Sequence, residues 1–255
     1  MKKLLLGNEA IARGAYEAGV RVSSAYPGTP STEINENVAT YPEIYSEWAP
    51  NEKVAVEVAL GAAVSGARSL ACMKHVGLNV AADPFFTATY TGVNAGMVVV
   101  VADDPGMHSS QNEQDTRMLA RASHAPVLDP SNSQECKDFL KLAYEISEKY
   151  DTPVILRVTT RIAHARTLVE LDERVEVPLR EYKRDIKKYV SMPANMIARH
   201  LYVEEREKKL AEDANTLPIN RIEWADRKIG VIYTTPTPSS AKYGTASRMP
   251  LRLPP

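Results

Sequence analysis

Two glutamates five residues apart, Glu52 and Glu57, stand in the stretch NEKVAVEVALGAAVSGAR at residues 51–68. A carboxyl group can move a proton as general acid or base when it lies about 2.6–3.2 Å from its partner. On a helix, five residues turn through about 140°, so the two cannot share one site. Glu52 directly follows Asn51, a residue suited to cap a helix N-terminus. A first-turn glutamate also interacts well with the helix dipole, and on the residues alone that structural role accounts for Glu52. A second candidate is SSAYPGTPSTE at residues 23–33. Pro27 and Pro30 fix the backbone there, Gly28 removes a side chain, and Tyr26, Thr29, Ser31 and Thr32 carry hydroxyls. A turn followed by a cap, with Ser31 and Thr32 as capping residues, explains Ser31 but not both prolines. Cationic candidates lie in two further loops: Lys74 and His75 in MKHVGLN (73–79), and His108 in ADDPGMHSSQNEQD (102–115). One loop histidine is ordinarily a solvated surface residue. Two in neighbouring loops, beside a lysine, are candidate functional residues.

Those loops need elements to hold them. The pattern predicts helices over 9–19, 29–40, 51–67, 113–121 and 133–150, and a helix from Gly77 to Gly92 broken near Pro84. It predicts strands over 20–26, 43–49, 69–74, 96–103, 125–128 and 152–160, with four consecutive valines (98–101) marking one buried on both faces. Alternating strands and helices imply an α/β fold with a doubly wound parallel sheet. Ligands bind such sheets at the carboxyl ends of the strands, where all three loops converge. After Leu171 the chain becomes charged and irregular. Residues 196–214 read as a charged, solvated helix, residues 229–234 as a strand, and the stretch from Thr235 as an irregular tail with five prolines.

Composition narrows the function. The chain has 255 residues, 44% of them hydrophobic, with net charge −1, so no global field points to nucleic acid or a membrane surface. There is no run of 18 apolar residues, and MKKLLLGNEA turns polar too early for a secretory leader; the expectation is a cytoplasmic protein. Two cysteines, Cys72 and Cys136, cannot hold a four-cysteine cluster. Cys72 reads as a buried hydrophobe, the run EEREKK as a solvated face, and His124, His164 and His200 as structural residues. The glycine loops G-x-G-x-x-G and G-x-x-x-x-G-K-[ST] are absent, which argues against a nucleotide-binding regulatory protein.

Three segments together resemble one family. AYPGTPSTE is similar to the Y-P-x-T-P-S-[ST] motif of 2-oxoacid:ferredoxin oxidoreductases. NEKVAVEVALGAAVSGARS resembles the helix bearing their thiamine diphosphate glutamate. MKHVGLNVAADP with DDPGMHSSQNEQD resembles the arylpyruvate branch, the indolepyruvate enzymes, in its large (alpha) subunit. The resemblance covers residues 1 to about 233. It implies a thiamine diphosphate pyrimidine-binding domain over 1–180, a helical connector over 181–219, and a second α/β domain begun at 220–255 and truncated.

The implied activity is oxidative decarboxylation of arylpyruvates, indolepyruvate among them, to aryl-acetyl-CoA, with ferredoxin taking the electrons. The cofactor's 4′-amino group acts as base only if a carboxyl group serves the pyrimidine N1′. Aligning GAAVSGAR with the family's small-residue helix puts Glu52 in that role, with Pro27 and Gly28 against the cofactor and the Thr29 hydroxyl on the substrate. Pyruvate enzymes of the family hold the substrate carboxylate with an arginine near the end of the central strand. Here that region reads VVVVADDPG, so Lys74, His75 and His108 become the candidates. Mg2+ and [4Fe-4S] clusters belong to the full-length enzymes, and their ligands are absent from this chain. The implied partners are a small (beta) subunit, ferredoxin, a 2-oxoacid and coenzyme A, in a dimer of heterodimers, with neither nucleic acid nor membrane. The alternatives are a folded but non-catalytic fragment that needs another chain, and an oxidoreductase for a different 2-oxoacid.

Overall fold

A computed structural model of the chain describes residues 1–220. The elements begin β1 (Lys2–Leu6), α1 (Gly7–Glu17), β2 (Val22–Ala25), α2 (Thr32–Val38), β3 (Tyr45–Trp48), α3 (Glu52–Val64) and β4 (Ser69–Lys74). They continue α4 (His75–Val80), α5 (Ala82–Thr91), β5 (Met97–Asp103), α6 (Thr116–Ala122), β6 (Val127–Leu128), α7 (Ser133–Tyr150) and β7 (Val154–Thr159). Last come α8 (Thr160–His164), β8 (Arg166–Glu170), α9 (Ile186–Tyr189) and α10 (Pro193–Ala214). The strand and tail expected beyond residue 220 lie outside the described residues.

Six strands form one parallel sheet in the order β3-β2-β4-β5-β7-β6, the doubly wound α/β arrangement expected. The valine run shows how it is packed. Val98 and Val100 join the core beneath α1, α2 and α7, while Val99 and Val101 join the core beneath α3 and α5. Period-two alternation therefore feeds two apolar layers from one strand, and full burial of each valine contributes about 1.5–3 kcal/mol. From β2 the chain runs outward to β3, then returns to β4 on the other side of β2. That reversal is the switch point where open α/β sheets bind ligands.

Several expectations are corrected. β1 and β8 pair antiparallel in a separate two-stranded sheet. Their sequences show no alternation because each buries one residue, Leu5 and Val169. The break between α4 and α5 falls at Ala81, not at Pro84. Pro84 instead occupies the first turn of α5, where its missing N–H has no intrahelical partner to lose. The helix expected from residue 113 begins at Thr116, capped by Asp115, whose side chain accepts from the Arg117 N–H.

Nor is α10 a fully solvated connector. Val203 and Arg206 are buried, and Arg206 donates to the carbonyls of Asp151 (3.0 Å) and Thr89 (2.9 Å). Burial lowers the Arg206 guanidinium to about 10. The EEREKK run is thus a solvated face interrupted by one docked arginine. His124 and His200 pack beside it, bonded to Glu207 (2.7 Å) and the Tyr90 hydroxyl (2.9 Å).

Candidate functional site

Three loops meet on the carboxyl-end rim beside the switch point. β2 delivers the turn 26–31, β4 delivers Lys74 and His75, and β5 delivers residues 104–115. In the first loop, Ser31 does not cap α2 with its side chain. Its hydroxyl donates back to the Gly28 carbonyl at 2.7 Å, and the Thr32 hydroxyl accepts from the Gly28 N–H at 2.9 Å. Both residues tie the turn shut rather than cap the helix, which corrects their expected role. Pro27 and Thr29 are left exposed. Gly28 faces the second loop, and a Cβ there would lie 3.0 Å from Lys74 Cδ.

Hydrogen bonds close the third loop over the other two. Lys74 Nζ donates to the Ser109 carbonyl (3.0 Å), and the Ser109 hydroxyl reaches the Thr29 carbonyl (3.4 Å). His75 is buried, and its Nε2 bonds the Asn112 carbonyl at 2.9 Å. A carbonyl only accepts, so Nε2 carries the proton. The other ring nitrogen, Nδ1, is buried without a partner among the described residues. His108 is exposed on the outside of this loop, its ring over Gly106. The structure thus brings Thr29, Lys74 and His75 together and leaves His108 on the periphery.

The third loop is anchored at its base by two buried carboxylates. Asp104 accepts from the Ser109 N–H (2.8 Å), the Ser110 hydroxyl (2.7 Å) and the Thr160 hydroxyl (2.8 Å). Burial opposes its charge, but these bonds outweigh burial and hold the carboxyl well below the usual range. Asp103 accepts from Thr116 and from Arg157 Nε (2.7 Å), while Arg157 Nη1 reaches Asp129 (3.0 Å).

Glu52 completes the rim. Asn51 accepts from the Val54 N–H at 3.0 Å and so starts α3 at Glu52, just past the end of β3. Its carboxyl points at α4: a Cβ on Gly77 would lie 2.5 Å from Glu52 Oε1. Glu57 is exposed, one turn farther along α3. Glu52 and Thr29 therefore occupy the same rim, and Glu57 does not. Sequence reasoning passed over Gly77, Asp104 and Arg157. The quoted motifs contain Gly77 and Asp104, but nothing in them marks either as a neighbour of Glu52 or of the loop.

The family described as pyruvate flavodoxin/ferredoxin oxidoreductase, thiamine diphosphate-binding, matches residues 13–220. The chain belongs to this family. All seven candidate residues (27, 28, 29, 52, 74, 75 and 108) fall within the matched span. The chain is 50% identical over 241 residues to the indolepyruvate oxidoreductase subunit IorA of Pyrococcus horikoshii, covering 91% of this chain and 37% of that protein. It is 49% identical over 234 residues to IorA of Methanothermobacter marburgensis, covering 89% and 38%. The 2-oxoglutarate synthase subunit KorA of Methanothermobacter thermautotrophicus is 31% identical over 180 residues, covering 67% and 48%. The chain thus spans less than half the length of each of these relatives. The fold matches that of the 2-oxoglutarate:ferredoxin oxidoreductase from Magnetococcus marinus with TM-score 0.68 at 20% identity, over 83% of this chain and 45% of that one.

Proposed function

We propose that this chain supplies the pyrimidine-binding part of the thiamine diphosphate site in a 2-oxoacid:ferredoxin oxidoreductase that oxidatively decarboxylates arylpyruvates such as indolepyruvate. One observation carries the reading: within the family-matched span, the Glu52 carboxyl lies on the switch-point rim shared with Thr29, Lys74 and His75. The names of the relatives that are about half identical support the arylpyruvate branch. On this reading residues 1–180 form the pyrimidine-binding unit, 181–219 the connector, and 220–255 the start of a second domain.

The residues present fit the pyrimidine end of the cofactor. Glu52 offers a carboxyl there, and Gly28 and Gly77, lacking side chains, admit the Lys74 and Glu52 side chains that a Cβ would crowd. Among the described residues no group of three His, Cys, Asp or Glu side chains could hold a metal ion by itself; a magnesium ion shared with a diphosphate needs only one or two carboxylates, and on this reading that end of the cofactor is held elsewhere. Magnesium, [4Fe-4S] clusters and the coenzyme A contacts then come from chain beyond these residues or from a second subunit, with ferredoxin as acceptor.

Bound thiamine diphosphate supplies the nucleophilic carbon and the electron sink for breaking the bond between a 2-oxoacid's keto carbon and its carboxylate. Glu52 exchanges the proton at the pyrimidine N1′, a positioned acid–base role typically worth about 10²–10⁴ in rate. The Thr29 hydroxyl and the Lys74 ammonium orient the substrate's oxygens, which compete with the Ser109 carbonyl for Lys74. His75 keeps its proton on Nε2 and holds the third loop down.

The test is an assembly of the full-length chain with its partner subunit, assayed for 2-oxoacid-dependent reduction of a low-potential acceptor. Turnover should require thiamine diphosphate and favour indolepyruvate over pyruvate and 2-oxoglutarate. Preference for either aliphatic acid overturns the branch, and turnover without thiamine diphosphate overturns the whole reading.

A further inference from the structure

We propose that Gly77 is a positioning residue for Glu52: the missing side chain at Gly77 fixes where the Glu52 carboxyl lies. The proposal rests on the reading of Glu52 as the proton partner of N1′. Glycine is a poor interior helix residue compared with alanine, yet Gly77 is the third residue of α4. Its backbone angle does not require glycine, since it is not among the residues with positive φ. The space does. A Cβ there would lie 2.5, 2.6 and 2.8 Å from Glu52 Oε1, Cγ and Cδ, its three nearest atoms.

This clash differs in kind from those at other tight glycines. A Cβ at Gly7 or Gly66 would strike the backbone of Ile162 or Arg180, so substitution there disturbs the fold. At Gly77 the three nearest atoms all belong to one flexible side chain. Both backbones are held. α4 is pinned by buried His75, bonded to Asn112, and by buried Leu78 in the core. α3 is pinned at its start by the Asn51 cap and by buried Ala55 and Val56. With neither helix free to yield, a methyl group at Gly77 must turn the Glu52 side chain away. Gly77→Ala should therefore leave the fold intact and displace one carboxyl.

The experiment compares Gly77→Ala with Gly61→Ala, whose added Cβ would meet nothing within 4 Å. In the 255-residue chain, both variants should melt at or above the wild-type temperature. The Glu52 carboxyl carbon-13 resonance should shift in Gly77→Ala alone, and a crystal structure of that variant should show the side chain rotated. In the full assembly, Gly77→Ala should lose about 10²-fold or more in kcat, approaching Glu52→Gln. The Gly77→Ala/Glu52→Gln double variant should be no slower than Glu52→Gln, because both changes remove one interaction. A Glu52 carboxyl that stays in place in Gly77→Ala overturns the positioning role. So does a double variant whose losses multiply. If the carboxyl moves but Glu52→Gln turns over like wild type, the seat stands and the catalytic reading of Glu52 falls.

Discussion

Arg157 Nε donates to Asp103 Oδ2 across 2.7 Å at the carboxyl ends of β7 and β5. Central strand β5 offers no arginine for a substrate carboxylate, and this one, on the adjacent strand, is engaged by Asp103 and Asp129. It serves the loop instead, since Asp103 also accepts from Thr116 at the start of α6. Arg157→Met leaves a buried carboxylate uncompensated, a change that costs about 3–5 kcal/mol. Urea unfolding of the 255-residue chain should show a midpoint lowered accordingly; an unchanged midpoint would mean that the pair is dispensable.

The two glutamates of α3 should separate cleanly. In the full assembly, Glu52→Gln should lose about 10²–10⁴ in rate, because glutamine keeps the shape but cannot exchange the proton. Glu57→Gln should lose little, since Glu57 is exposed and about 140° around the helix from Glu52. Circular dichroism confirms folding of both. If Glu57→Gln is the inactive one, the cofactor lies on the other side of α3.

Lys74 and His108 should also part. Lys74→Met removes the charged donor on the rim, a bond worth about 1.5–3 kcal/mol, and should raise KM for the 2-oxoacid by about ten-fold or more. His108→Ala removes an exposed side chain outside the converged loops and should stay within about 0.5 kcal/mol. Steady-state kinetics on both variants decides which of the two binds substrate.

The loop 104–115 should loosen in acid. The Asp104 carboxyl is held below its ordinary value by the bonds from Ser109, Ser110 and Thr160, against the effect of burial. A depressed folded value means that its stabilisation is complete above the unfolded value, about 3.9. It is lost as pH falls below that and through the folded value. Amide exchange of Ser109, whose N–H donates to Asp104, should therefore stay protected at neutral pH and open in strong acid. Asp104→Asn should open it already at neutral pH. Equal protection in wild type and variant at pH 7 would show that Asp104 does not hold the loop.

The 255-residue chain on its own should not couple indolepyruvate to reduction of ferredoxin or viologen. Its two buried cysteines, Cys72 and Cys136, cannot ligate a four-cysteine cluster. Reduction by the purified chain, free of other subunits, would contradict this.

By itself, the sequence determined what neighbouring residues decide among themselves. β4 and α7 run over the residues that their patterns mark, Ser69–Lys74 and Ser133–Tyr150, because an apolar run and a capped 3.6-residue period are local signals. The YPGTP turn and the glutamate helix were legible as motifs for the same reason. Only the tertiary structure decided what depends on distant chain. β1 meets β8 more than 150 residues away, through one buried residue on each strand. Gly28 lies against the Lys74 side chain because β2 and β4 are neighbours in the sheet. The Glu52 carboxyl is seated against Gly77, 25 residues onward, because the order β3-β2-β4 brings the starts of α3 and α4 to one rim. Period and capping are properties of a few consecutive residues, whereas the neighbour of a rim side chain is set by strand order, which no local pattern encodes.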